Sequence, residues 1–298
     1  MGKDLAENFS VSRQVFEEVD DALGFSISRL CFEGPAEELQ LTENTQPAIL
    51  SVSIAAFRAL EVNGFPPPAF VAGHSLGEYS ALVAVGALSL PDAVRIVRAR
   101  GRYMQEAVPI GVGAMAAVLG AGLDAIQKAC ESVRGAEVCS PANINAPNQV
   151  VIAGHAAAIN RAVDAMKEAG AKRVVKLNVS APFHCELMMP AQDRLAADLE
   201  RLRFEDVNIP VITNVNAAIT QKGTDLRDAL VRQVSSPVRW LESMKLLIDR
   251  GVDTFVEVGP GKVLAGLMRQ ISREVNCLNV EDAASLQATM QNLQPVLN

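Results

Sequence analysis

Apolar and polar positions repeat along this chain with two different periods, and the changes of period mark out its elements. From Lys3 to Leu23 the apolar residues recur at helical spacing, with Phe9, Val15, Phe16 and Val19 on one face, which predicts a helix. Ser26 to Pro35 has no clear period and reads as irregular. Thr45-Gln46-Pro47 then reads as a helix start, with a capping threonine, a proline in the first turn and an apolar face through Leu60. Asn63-Gly64 closes that helix and Pro66-Pro67-Pro68 is a loop. Ala69 to Ala72 is an apolar run of strand length, Leu76 to Ala87 is rich in Ala and Leu and predicts a helix, and Pro91 to Ala107 predicts another.

The pattern changes after Pro109. Gly113 to Leu119 reads as a strand, Leu123 to Val133 as a helix, Val138 to Ile144 and Gln149 to Ala153 as two strands joined by a turn, Ala156 to Ala169 as a helix, and Arg173 to Val179 as a strand. The order β-α-β-β-α-β is that of a split ferredoxin-like unit. It predicts a small subdomain over 110–179, inserted into a larger one made of 1–109 and 180–298. The larger one resumes with a helix near Met188 to Leu202, a buried strand at Ile209 to Asn214 that ends in polar residues, helices at Asp225 to Val234 and Trp240 to Asp249, a strand at Thr254 to Val258, an amphipathic helix and a short strand at Cys277 to Val280. Strands alternating with helices predict an α/β fold, a parallel sheet covered on both faces.

Composition narrows the function classes. The 298 residues are 49% hydrophobic and 20% charged, enough for a sizeable core, with a net charge of -7 and no long basic block. That balance argues against nucleic acid as the main partner. Arg95, Arg98, Arg100 and Arg102 lie close together, although a helix would spread them over its surface. The five cysteines (Cys31, Cys130, Cys139, Cys185, Cys277) form no C-x-x-C pair and are odd in number, which reads as free thiols of a reducing compartment. Only His74, His155 and His184 are present, none at ligand spacing with another, so no metal is expected. No apolar run reaches the length of a membrane span, and the N-terminus lacks the apolar core of a signal peptide. The expectation is a cytoplasmic protein with no membrane partner.

Gly73-His74-Ser75-Leu76-Gly77 is a G-x-S-x-G set between a predicted strand and a predicted helix, the context of a nucleophile elbow. Flanking glycines would relieve clashes in so tight a turn, and the helix N-terminus would favour a developing oxyanion. The same residues also fit a glycine-rich turn in which Ser75 only caps the helix. A serine nucleophile needs a base, and His184, in Ser180-Ala-Pro-Phe-His184 after a strand, suits that role, as strand-end loops build α/β sites. A buried structural histidine fits there too. His74 adjoins Ser75 and would point away from it, and His155 reads as a helix cap. Between Ser75 and His184, Glu78, Asp92 and Glu106 are acidic, but none sits in a strand-end loop, so a Ser–His dyad is the simpler reading than a triad.

Gly73-His-Ser-Leu-Gly-Glu-Tyr-Ser80 resembles the signature of the malonyl-CoA:acyl-carrier-protein transacylase family. Five further stretches agree: Ala99-Arg-Gly-Arg-Tyr-Met-Gln-Glu106 and Asn143-Ile-Asn-Ala-Pro-Asn-Gln149, then Ala181-Pro-Phe-His184, and finally Gln233-Val-Ser-Ser-Pro-Val-Arg-Trp240 and Glu257-Val-Gly-Pro-Gly-Lys262. They follow the family order over nearly the whole chain. The resemblance implies an α/β-hydrolase-like core carrying a ferredoxin-like insertion. It also implies Ser75 as nucleophile, His184 as base, Arg100 as clamp for the malonyl carboxylate, Gln233 orienting His184 through its backbone carbonyl, and the Leu76 N–H as an oxyanion donor. Read alone, Arg100 is a surface helix charge and Gln233 an exposed helix-end residue.

The same resemblance implies transfer of a malonyl group from malonyl-CoA to the phosphopantetheine thiol of acyl carrier protein, through a malonyl-serine, in fatty-acid biosynthesis. No cofactor is implied beyond malonyl-CoA as substrate, and a monomer is expected. Lys172, Arg173 and Lys176 are candidate contacts for the acidic carrier. Family members open with a strand and a Gly-Gln-Gly-Ser-Gln loop whose glutamine gives a second oxyanion donor. The present sequence has neither, which predicts impaired catalysis. Two rivals stay open from sequence, a serine thioesterase or hydrolase sharing the elbow and a non-catalytic acyl-binding protein. A variant of the first reading serves polyketide synthesis with another carrier.

Overall fold

The computed structural model describes residues 1–179 and 181–297. The expected first helix is two, α1 (Lys3–Asn8) and α2 (Ser10–Leu23), because Phe9 is extended at the joint. The break lets Leu5 and Ala6 share one core with Val15, Phe16 and Val19. The stretch expected to be irregular holds α3 (Ile27–Glu33), capped by the Ser26 hydroxyl, which accepts from the Arg29 N–H. Seven residues are too few for a helical period to stand out. After α4 (Ala36–Leu39), α5 (Thr42–Val62) begins three residues before the expected start. Thr45 is therefore inside the helix, its hydroxyl donating to the Leu39 carbonyl at 2.5 Å, and Pro47 interrupts the second turn rather than opening the first.

Next come β1 (Val71–Ala72), α6 (Leu76–Ala84) and α7 (Leu90–Glu106), the last capped by Ser89. The small unit is β2 (Gly113–Leu119), α8 (Leu123–Arg134), β3 (Cys139–Ala146), β4 (Gln149–His155), α9 (Ala156–Glu168) and β5 (Arg173–Lys176). Its sheet is antiparallel throughout with order β3-β4-β2-β5, the split βαβ arrangement. Strand alternation gives it two apolar faces. Ala116, Val118, Val150 and Ile152 pack against Ile126 and Ile159 of the two helices. Met115, Val151 and Ala153 face the other way and meet Cys185 beyond the unit. Backbone bonds between Val238 and the residues Ala142 and Ile144 of β3 tie the two parts together.

A 3-10 turn at Glu186–Met188 leads into α10 (Met189–Leu199), followed by β6 (Val211–Thr213), β7 (Ala218–Thr220), α11 (Gly223–Gln233), α12 (Trp240–Asp249), β8 (Thr254–Val258), α13 (Val263–Ile271), β9 (Asn276–Val280) and α14 (Ala283–Leu297). Neither β7 nor α14 is foreseen by the sequence pattern. The α/β class holds, but the main sheet differs from one continuous parallel sheet in the described residues. β6 joins β1 in parallel and β7 antiparallel, while β8 pairs only with β9. An apolar slot of about 670 Å³ is lined by residues of both β1 and β8, with Ile54, Phe57, Met244 and Met268 among its other walls. All five residues of β8 are only half buried, whereas β6 is fully buried.

Candidate active site

Ser75 ends the turn from β1 into α6 with φ 52° and ψ -108°, a left-handed backbone that a non-glycine residue adopts only when held there. Asn214, just past β6, holds it. The Asn214 carboxamide oxygen accepts the Ser75 N–H at 2.7 Å, and its amide donates to the Gly73 carbonyl at 2.6 Å. Gly73 is required by close approach, since a Cβ there would lie 1.9 Å from the Gly77 carbonyl carbon. Gly77 differs from the expectation, because a Cβ on it would meet nothing within 4 Å. Only one of the two flanking glycines relieves a clash. With the Ser75 N–H engaged by Asn214, the N–H of Leu76, first residue of α6, is the backbone donor at that helix N-terminus.

His184 is buried and also has a positive φ of 58°. Its Nδ1 lies 2.9 Å from the Gln233 carbonyl oxygen, and its Nε2 lies 2.7 Å from Ser75 Oγ. A carbonyl only accepts, so Nδ1 carries the hydrogen and Nε2 accepts from the Ser75 hydroxyl. Burial, then the nearby Arg100 charge, lowers the imidazole from an ordinary 6.5 to about 3. His184 is therefore neutral over the ordinary pH range, the state in which it accepts a proton. No carboxylate bonds to it among the described residues, in keeping with a dyad supported by a carbonyl.

Arg100 is 1% exposed, the reverse of the surface charge its isolated helix position suggests. Gly101 explains how α7 carries it inward, because a Cβ there would lie 2.6 Å from the Thr42 carbonyl oxygen of α5. Its Nη1 donates to Gln46 Oε1 at 2.6 Å, and its Nη2 donates to Gln233 Oε1 at 2.9 Å and to Ser75 Oγ at 3.0 Å. Gln233 is fully buried, not exposed. Its Nε2 donates to the Ser75 carbonyl at 3.0 Å and to Glu78 Oε2 at 2.8 Å. One glutamine thus touches Ser75, His184, the Arg100 guanidinium and the buried Glu78 carboxyl group.

All five residues singled out by sequence, Ser75, Leu76, Arg100, His184 and Gln233, converge here. Gln46, Glu78 and Asn214 belong to the same network and were not foreseen. Their signal was a polar residue on an otherwise apolar stretch: Gln46 before Pro47, Glu78 within an Ala/Leu-rich helix, Asn214 at the polar end of a buried strand. Other residues lie apart. His74 turns to Asn145 Oδ1 at 2.8 Å. His155 occupies a helix N-cap, but its side chain makes no cap bond; Nδ1 instead accepts the Val138 N–H. Arg95, Arg98 and Arg102 line a separate depression of about 330 Å³ together with Glu43. The apolar slot reaches the site only through its flanks, at Gly73, His74, Leu76 and Gly77. Among the described residues no cluster of His, Cys, Asp or Glu could hold a metal ion, all five cysteines are free, and no helix is long and apolar enough to cross a membrane.

A half-buried serine against a buried histidine and a buried guanidinium is equipped to take an acyl group that carries an anion. Comparison with known proteins points the same way. The chain is 46% identical to the malonyl CoA-acyl carrier protein transacylase of Escherichia coli K12 over 288 residues, 97% of this chain and 93% of that one. It is 46% identical to that of Bacillus subtilis 168 over 295 residues, 99% and 93% of the two chains. The crystal structure of an acyl carrier protein S-malonyltransferase from Vibrio cholerae superposes with a TM-score of 0.95 at 47% identity, covering 97% of this chain and 94% of that one. A complex of a malonyl-transacylase with its type II PKS acyl-carrier protein matches with a TM-score of 0.94 at 46% identity, again covering 97% and 94%. The acyl transferase domain profile matches residues 1–295, and the chain belongs to that family, among the malonyl-CoA:acyl-carrier-protein transacylases.

Proposed function

We propose that this chain transfers the malonyl group of malonyl-CoA to the phosphopantetheine thiol of acyl carrier protein, with Ser75 as the residue acylated in between, as a step of fatty-acid biosynthesis. The observation that carries the reading is that Ser75 Oγ sits 2.7 Å from His184 Nε2 and 3.0 Å from Arg100 Nη2. His184 takes the hydroxyl proton as Oγ attacks the thioester carbonyl. The tetrahedral oxyanion forms at the Leu76 N–H and collapses, breaking the C–S bond, and the departing CoA sulfur takes the proton from His184. In the second half the carrier thiol gives its proton to His184 and attacks the acyl-serine, and the Ser75 oxygen recovers the proton as it leaves. Atoms and oxidation states balance on these groups, so the reaction needs no metal or redox cofactor. Ping-pong kinetics follow.

Arg100 selects the substrate. Its Nη2 already donates to Gln233 and Ser75, and Nη1 to Gln46. A malonyl carboxylate would take the remaining Nη1 hydrogen and the Nη2 hydrogen now on Ser75 Oγ, a bidentate pairing that also frees the nucleophile. Acetyl groups have nothing to offer there. The chain divides in this reading into a catalytic unit of 1–109 with 180–298 and a smaller unit of 110–179, a boundary that falls on Ser180, outside the described residues. Support comes from the separate apolar core of the small unit. Exposed Lys172, Arg173 and Lys176, the last two on edge strand β5, are proposed contacts for the acidic carrier. The protein would act as a monomer in the cytoplasm, a setting supported by five unpaired cysteines.

Intact-protein mass after brief exposure to malonyl-CoA or acetyl-CoA tests the reading. The expected result is a malonyl adduct that is absent in Ser75→Ala and disappears when carrier protein is added. An adduct lost to water at the same rate without carrier would make the protein a hydrolase. Saturable binding with no adduct would make it an acyl-binding protein.

A further inference from the structure

The group that the chemistry above leaves without a task is Glu78. It lies on α6 one turn beyond the nucleophile and is fully buried. Its Oε2 accepts the Asn214 N–H at 3.0 Å and the Gln233 side-chain amide at 2.8 Å, while Oε1 has no partner. A carboxyl group buried with one bare oxygen is costly even when the other oxygen accepts two hydrogen bonds. Packing does not explain it.

We infer that Glu78 is a positioning residue for acyl selection: it fixes which way the Gln233 amide faces, and through that amide aims the Arg100 guanidinium at the Ser75 hydroxyl. This rests on the function proposed above. The reasoning is one of donors and acceptors. Burial pushes Glu78 up to about 7, but its Oε2 accepts in either protonation state, any proton sitting on the bare Oε1, and a guanidinium only donates. Gln233 lies between them, its Nε2 directed to Glu78 and to the Ser75 carbonyl and its Oε1 to Arg100. Turning the amide over would set its oxygen against two acceptors and its nitrogen against a donor. Without Glu78 the Ser75 carbonyl and a long 3.5 Å contact to Asn214 Oδ1 would be left to hold that orientation, and Arg100 would face a less firmly fixed acceptor on Gln233. Glu78 holds the amide without bonding to Arg100, so the guanidinium stays available to an incoming anion.

The test compares acylation of the full chain by malonyl-CoA and by acetyl-CoA, as the ratio of the two kcat/KM values, alongside thermal midpoints. Glu78→Leu should reduce the malonyl preference by about tenfold or more, since mis-aiming the clamp forfeits part of a buried charged hydrogen bond. Its thermal midpoint should fall as well, because the Asn214 N–H and the Gln233 amide lose their acceptor, so the ratio and not the midpoint carries the test. Glu78→Gln, whose carbonyl can accept the same two hydrogens, should recover most of the preference. An unchanged ratio in a folded Glu78→Leu, or an equal slowing of both substrates, would overturn the inference. Should Glu78→Leu not fold, Glu78→Asp decides, since it keeps the charge but not the reach: a lowered ratio supports the positioning role and an unaltered one overturns it. Wild-type protein without malonyl preference would overturn the proposed function and this inference with it. A wild-type preference that no Glu78 variant alters would overturn this inference alone.

Discussion

His184 and Arg100 share one hydroxyl, and burial first, then the positive charge of Arg100, lowers the basicity of His184. A second cation beside Arg100 is disfavoured in a buried site, which is why His184 is held at about 3 together with its burial. The neutral base is then present well below the ordinary histidine range, and its acid limb should lie far below pH 6.5. Single-turnover acylation between pH 5 and 8 should show no step belonging to His184; burial pushes Glu78 up to about 7, so a step in this window should vanish in Glu78→Gln, and one that survives there would contradict the assignment. Removing the charge works in the opposite direction: Arg100→Gln should move the limb to higher pH, measured with acetyl-CoA, which does not use the clamp. The same variant should cost malonyl transfer about 2–5 kcal/mol, roughly 30-fold or more in kcat/KM. Ser75 and His184 were legible in the sequence because an elbow and a strand-end loop have local signatures. The burial of Arg100 and Gln233 was not, since a residue on a helix reveals its surroundings only when the neighbouring helix is in place.

At the level of elements, the turn from β1 to α6 depends on one glycine rather than two. Gly73→Ala would drive a Cβ to 1.9 Å from the Gly77 backbone, and overpacking of that kind costs about 1–3 kcal/mol or more. Gly77→Ala meets open space and gains helix propensity, so it should be neutral or stabilising by up to about 1 kcal/mol. Denaturant unfolding of the two variants measures both, and the reverse ranking would show that the turn is built otherwise. Long elements such as α7, β2 and α12 were readable because period and caps agree over many residues. The helix α3 was not, being two turns long, and the division of the first helix at Phe9 was not, being a consequence of how α1 and α2 meet the core.

At the scale of the whole molecule, the two parallel pieces of the main sheet flank an apolar slot that neither closes. A cavity of about 670 Å³ lined by Phe255, Val71 and Met268 lies within the range of sites that take small apolar molecules. A hydrophobic reporter dye should therefore bind saturably under native conditions and brighten, with Val256→Asp weakening the effect. Dye fluorescence no stronger than that of a protein lacking such a cavity would refute the expectation. The small unit contrasts with this region, as its sheet is complete and both faces are covered, one by its own helices and one by residues around Cys185.

The sequence by itself determined the α/β class, the βαββαβ insert, the elbow and its histidine, because these depend on periods, turn residues and neighbours along the chain. Only the tertiary structure decided which polar residues become a site. Gln46, Glu78, Arg100, Asn214 and Gln233 come from five separate elements or their ends, and they act together because hydrogen bonds in a buried space have to be satisfied by whatever the fold brings within reach.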